Sequence, residues 1–250
     1  MARFRSNKVE FQRICSGEDW MRALDRRIGT GGNAQEAVGP LLALLPRPEL
    51  AWRAAYGLGL AVSRMAGANM ESARVVMRRL MWSMNEESGN LGWGIPEAMG
   101  CILAESPALA REYGRILLSY GHDTGREDNF VEHAPLRRGV YWGIGRLASA
   151  DAVLAKPALP HLVAALGDDD AGVRLMAAFA LWQLAGNLPE KEKQQGEGAG
   201  QWQAAARALE RAANAGDTAM EIFDGRAIAV VTLKEMLDRA QEALRAGKAG

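Results

Sequence analysis

Between Val173 and Leu184 the apolar residues Val173, Met176, Ala177, Ala180, Leu181 and Leu184 fall at relative positions 0, 3, 4, 7, 8 and 11. That is the stripe one face of an α-helix presents. The same six places are apolar or glycine upstream, as Leu136, Gly139, Val140, Gly143, Ile144 and Leu147, and as Leu91, Gly94, Ile95, Ala98, Met99 and Ile102. A weaker copy sets Trp52, Ala55, Tyr56, Gly59 and Leu60 in register, closed by the polar Ser63. The copies start at 52, 91, 136 and 173, a spacing of 39, 45 and 37 residues. Each follows another apolar helical segment: EAVGPLLALLPRP, MESARVVMRRLMWSMN, SPALAREYGRILLSY and KPALPHLVAALGDDD. Two helices repeating at this period predict an all-α solenoid of about four helix pairs, in which no pair buries its apolar face without its neighbours.

The ends break the period. SGEDWMRALDRRIG predicts an N-terminal capping helix with Ser16 at its N-cap. GNLPEKEKQQGEGAG, residues 186–200, is charged and nonperiodic and predicts a mobile loop. Beyond it QWQAAARALERAANAG predicts a helix, and two β-prone runs flank Asp224 and Gly225, a dipeptide suited to a tight hairpin turn. A last helix starts at TLKE, where Thr232 and Glu235 form a capping box. The expected organisation is a solenoid over 1–188, a flexible loop over 189–200, and a cap over 201–250 of helix, hairpin and helix packed on the last repeat.

PALPHLVAALGDDDAGVRLMAAFALWQLA, Pro157 to Ala185, resembles a HEAT repeat of the phycobilisome-lyase-like group, with its acidic turn at Asp168 to Asp170 and Arg174 after Val173. The stretch EESGNLGWGIPEAMG, taken with the C-terminal hairpin, resembles more loosely an uncharacterised HEAT-repeat family of sulfate- and metal-reducing bacteria. The resemblance implies a right-handed α-solenoid whose second helices line the concave surface. It brings no known activity, since lyase-like repeats occur in many proteins without lyase activity.

With the stripe facing inward, positions 2, 5, 6 and 9 lie on the opposite side of each second helix. They hold Trp93, Pro96, Glu97 and Gly100; then Arg138, Tyr141, Trp142 and Gly145; then Leu175, Ala178, Phe179 and Trp182. So many rings exceed the apolar patch that soluble monomers expose, so either a partner or the chain itself covers them. The candidate binding residues are therefore Trp93, Pro96, Glu97, Arg138, Tyr141, Trp142, Phe179 and Trp182, for a protein or peptide partner or a small molecule. Glycines at 92, 94, 100, 139, 143 and 145 permit close approach of a ligand or of another helix. Pro96 suits the first turn of its helix, which would leave Gly89 to Trp93 as a loop.

Composition narrows the chemistry. The 30 basic and 30 acidic side chains among 250 residues cancel, which gives nucleic-acid binding no global support. Cys15 and Cys101 have no metal or redox spacing and suit a reducing compartment. The N-terminus lacks a signal-peptide pattern, and no run of about 18 apolar residues spans a bilayer, so the expected location is cytoplasmic. The densest ionisable cluster, YGHDTGREDNFVEHAP, offers His122, Asp123 and His133 as weak metal ligands, together with Glu127, Asp128 and Glu132. HEAT-fold hydroxylases hold di-iron through repeated His-Glu pairs, and this chain has only the reversed Glu132-His133. No phosphate loop, dinucleotide fingerprint or nucleophile elbow is present. The expectation is a noncatalytic interaction scaffold without a cofactor or catalytic residues. The rival is an enzyme on the same groove: metal-dependent through 122–133, a HEAT-like nucleobase glycosylase using the tryptophans, or lyase-like.

Overall fold

A computed structural model describes residues 2–29, 32–84, 92–125, 129–194, 198–214 and 216–246. In chain order the elements are α1 (Ala2–Ser16), α2 (Trp20–Ile28), α3 (Gly32–Leu42), α4 (Ala51–Ala68), α5 (Met70–Met84), α6 (Ile95–Glu105) and α7 (Pro107–Ser119). They continue as α8 (Ala134–Ala150), α9 (Ala152–Ala155), a 3-10 turn (Lys156–Ala158), α10 (Leu159–Ala165), α11 (Ala171–Asn187), α12 (Glu190–Gln194), α13 (Gly198–Ala212), β1 (Ala219–Phe223), β2 (Ile228–Thr232) and α14 (Leu233–Ala246). The fold is an all-α solenoid with one antiparallel hairpin. The chain divides into two compact units, Met1–Tyr113 and Gly114–Gly250, the division falling within α7.

In the first unit α4 packs on α3, α5 and α6. Its buried residues are Ala54, Ala55, Gly57, Leu58, Gly59, Ala61, Val62 and Met65, so Ala55 and Gly59 of the expected stripe are in the core. Trp52, Tyr56 and Leu60 are only half-buried, so the stripe is shifted by about two residues from the expected register. The aromatic pair explains the shift: Tyr56 stands edge-on to Trp20 at 5.3 Å on the flank of the helix. Ser63 donates from its hydroxyl to the Glu105 carbonyl at 2.8 Å, a side contact rather than a core position. The N-terminus also departs from expectation. Ser16 ends α1, its hydroxyl bonded back to the Gln12 carbonyl, and Asp19 stands at the N-cap of α2. The helix propensity of residues 2–16 carries α1 through to the break at Gly17.

In the second unit α11 lies between α8 and α14. Both of its faces are buried, the expected stripe together with Leu175, Ala178 and Phe179 opposite. A helix apolar all round needs cover all round, and α14 and the hairpin supply it. The segment expected as a mobile loop over 189–200 contains α12, started by Pro189 with Glu190 and Glu192 in its first turn. Helix α12 is tied down by Lys156, whose ammonium donates to the Glu192 carbonyl at 2.5 Å. The hairpin pairs Ala219 with Thr232 through Phe223 with Ile228. Its turn places Gly225 at φ +99°, and Asp224 Oδ1 accepts from the Arg226 and Ala227 amides. The capping box forms as expected: the Thr232 amide donates to Glu235 and the Glu235 amide to the Thr232 hydroxyl. Among the described residues no helix is long and apolar enough to cross a membrane.

Candidate functional site

The aromatic row of the second unit lies inside the protein. Trp142 and Phe179 have no exposed surface, and Tyr141 is buried beside them. The Trp142 indole N–H donates to the Phe223 carbonyl of β1 at 2.8 Å, and its ring stacks parallel to Phe179 with centroids 6.4 Å apart. The Tyr141 hydroxyl donates to the Gly121 carbonyl at 3.1 Å. Gly145 exists for this packing, since a Cβ there would sit 2.7 Å from the Phe179 ring. Of the two covers the sequence left open, the chain itself covers these three rings, and none of them is presented to a partner.

Arg138 is likewise engaged. Its guanidinium makes a bidentate pair with Asp170, Nε to Oδ1 at 2.8 Å and Nη2 to Oδ2 at 2.5 Å. Asp170 is also the N-cap of α11, accepting from the Val173 amide at 2.8 Å, and the Arg138 hydrogen bonds hold its carboxyl down at about 2. Two further arginines pin the same acidic turn. Arg137 pairs with Asp168 at 2.7 Å, and Arg174 donates to the Asp168 and Asp169 carbonyls. The acidic turn is thus a structural clamp.

Trp182 reaches a cavity. It lines a space of about 500 Å³ with Arg146, Ser149, Gln183, Asn187 and the hairpin turn Asp224 to Arg226. The Arg239 guanidinium lies 5.1 Å from its ring.

The expected metal ligands are dispersed. The His122 imidazole stacks on His161 at 3.7 Å, the Asp123 carboxylate accepts from the Gly125 amide, and His133 is the N-cap residue of α8. Glu127 and Asp128 lie outside the described residues. Among the described residues no group of three or more His, Cys, Asp or Glu side chains converges.

In the first unit the row survives in part. Pro96 is buried in the first turn of α6. Glu97, next to it, has Oε2 buried without a hydrogen-bond partner, and burial pushes its carboxyl up to about 7. Trp93 stays 40% exposed. It stands between two glycines that seat the loop on its neighbours. Gly94, the α6 N-cap, has φ +73° and would put a Cβ 3.0 Å from Leu45; a Cβ at Gly92 would lie 3.0 Å from the Ser83 carbonyl. Residues 89–91, also assigned to this loop, lie outside the described residues.

The result is a groove of about 320 Å³ between the C-terminal end of α3 and α5, lined by Leu42, Ala43, Pro46, Arg79, Leu80, Ser83, Trp93 and Ile95. On α5 nearby, Trp82 is 74% exposed and Val75 is exposed. Val75, Arg78, Arg79 and Trp82 follow the 0, 3, 4, 7 spacing, so this second surface stripe was present in the sequence. It was hidden because α5 reads as the packing helix of its pair.

No protein-family model and no curated protein sequence matches the chain. Solved structures do match it along nearly its whole length. An engineered protein is similar at a TM-score of 0.54 and 16% identity, covering 97% of this chain and 92% of its own. A designed armadillo repeat protein in complex with the peptide (KR)4 is similar at a TM-score of 0.51 and 20% identity, covering 95% and 98%. A second engineered protein has a TM-score of 0.51 and 15% identity, covering 95% and 97%. At these identities the likeness establishes the helical-repeat solenoid fold.

Proposed function

We propose that this protein is a noncatalytic scaffold of HEAT-type repeats that holds a segment of another protein, and that the contact surface lies on the first unit around Trp93. The observation that carries the reading is the contrast within one aromatic row. Tyr141, Trp142 and Phe179 are covered by the chain itself, whereas Trp93 is held at the rim of an open groove by two close-packed glycines. The structural neighbour complexed with (KR)4 supports a binding role for the architecture. Buried, unbridged Cys15 and Cys101 support a reducing, cytoplasmic setting.

The test is a random peptide display selected against the purified protein. Selected peptides should lose binding to Trp93→Ala while its melting temperature stays within a few degrees of wild type. Peptides that bind Trp93→Ala as well as wild type would place the contact surface elsewhere.

A further inference from the structure

The groove beside Trp93 has an asymmetric rim. Its floor is aliphatic, built from Leu42, Ala43, Leu80 and Ile95. One rim is the Trp93 ring and the other is Arg79, exposed on α5. The charges of α5 divide sharply. Arg78 pairs with Glu71 at 2.6 Å, and Arg74 bridges Glu71 and Glu112. Arg79, one residue further round the helix, has no carboxylate partner among the described residues. Nor, among the described residues, does any acidic side chain line the groove with it. An exposed arginine and tryptophan flanking an aliphatic floor are the residue types that dominate binding hot spots, and among the described lining residues the one charged side chain is positive.

We infer that the groove docks an extended acidic segment of a partner protein, with an aliphatic side chain inserted between Leu42 and Leu80 under the Trp93 ring. A neighbouring carboxylate then pairs with Arg79. The inference rests on the proposed scaffold reading and gives its partner a chemistry. Arg79 is well suited to the task because a guanidinium meets a carboxylate in a bidentate fork. A basic segment is rejected at the same place by like charge.

The experiment uses the full chain and two fluorescein-labelled octapeptides, (DL)4 and (KL)4, titrated by fluorescence anisotropy. The acidic peptide should bind, Arg79→Glu should weaken it about tenfold or more, and Trp93→Ala should weaken it comparably. Arg111→Glu, an exposed site with the same change in net charge, should leave it unaffected. Preferential binding of (KL)4 that depends on Trp93 overturns the inference and leaves the scaffold reading standing, as does (DL)4 binding insensitive to Arg79→Glu. Failure of both peptides to bind overturns the inference, and the scaffold reading then stands or falls on whether the display yields peptides that depend on Trp93. Concentration-dependent dimerisation abolished by Arg79→Glu, seen in sedimentation, would reassign the groove to a second copy of this chain.

Discussion

The Trp142 indole N–H donates to the Phe223 carbonyl across 2.8 Å of fully buried space, joining α8 to the first strand of the C-terminal hairpin. In the ladder, the paired positions Ile222 with Ala229 and Met220 with Val231 turn their hydrogen-bonding groups inward, since Asp224 bonds Ala227 and Leu233 bonds Thr218 in the same alternation. The Phe223 carbonyl therefore points out of the hairpin, and the indole is what satisfies it. Replacing Trp142 with Phe removes this donor from a buried carbonyl, at a cost of about 1–3 kcal/mol. Amide exchange should rise at the hairpin, measured by mass spectrometry, while α1 to α5 stay protected. Unchanged hairpin protection would show that the indole bond does not anchor it.

Glu97 makes stability depend on pH in an unusual direction for a carboxylate. Its folded pKa of about 7 lies above the ordinary 4.5, so the folded state binds the proton more tightly than the unfolded chain. This contribution is complete below about 4.5, declines as pH rises toward 7, and is lost above it. The shift corresponds to about 3 kcal/mol. Glu97→Gln should therefore be more stable than wild type in urea at pH 8, with the advantage vanishing near pH 4.5. An advantage that does not vary with pH would refute the burial argument.

Asp170 behaves oppositely. Its carboxyl is held at about 2 against an ordinary 3.8, first by its hydrogen bonds from Arg138. The stabilisation is present above about 3.8 and disappears as pH falls through 2. Asp170→Asn should cost roughly 1 kcal/mol at pH 7, less than the full shift because the pair is partly solvated, and Asp170→Ala about 1 kcal/mol more through the lost N-cap. A double-mutant cycle with Arg138→Leu should show strong coupling. Additive effects would mean that the pair contributes nothing beyond the cap.

Two glycines in helices should respond with opposite signs. A Cβ at Gly145 would meet the Phe179 ring at 2.7 Å and the Ala180 backbone at 3.0 Å, whereas one at Gly67 would meet nothing. Gly145→Ala should destabilise by about 1–3 kcal/mol, and Gly67→Ala should stabilise by up to about 1 kcal/mol through helix propensity. Thermal denaturation of both variants decides the matter, and a stabilised Gly145→Ala would contradict the close approach.

The sequence by itself determined the helix pairs, the hairpin at Asp224 and Gly225, and the capping box of Thr232 and Glu235. All three depend on short-range periodicity and local hydrogen bonding, which a few neighbouring residues specify. Period and spacing also found the aromatic row. What the row does depended on which elements lie over it, and only the tertiary structure decided that: the hairpin meets Trp142, α14 packs on the helix that carries Phe179, and the turn at Gly121 meets Tyr141. The register of α4 escaped sequence reading for the same reason, because Trp52 and Tyr56 are as apolar as core residues yet stay half-buried, Tyr56 against Trp20 on the flank. Arg138 looked like a ligand contact until Asp170, distant in sequence, met it. Trp93 stayed exposed and Trp82 proved more so, because burial is a property of what the rest of the chain brings to a surface, and a single helix carries no record of that.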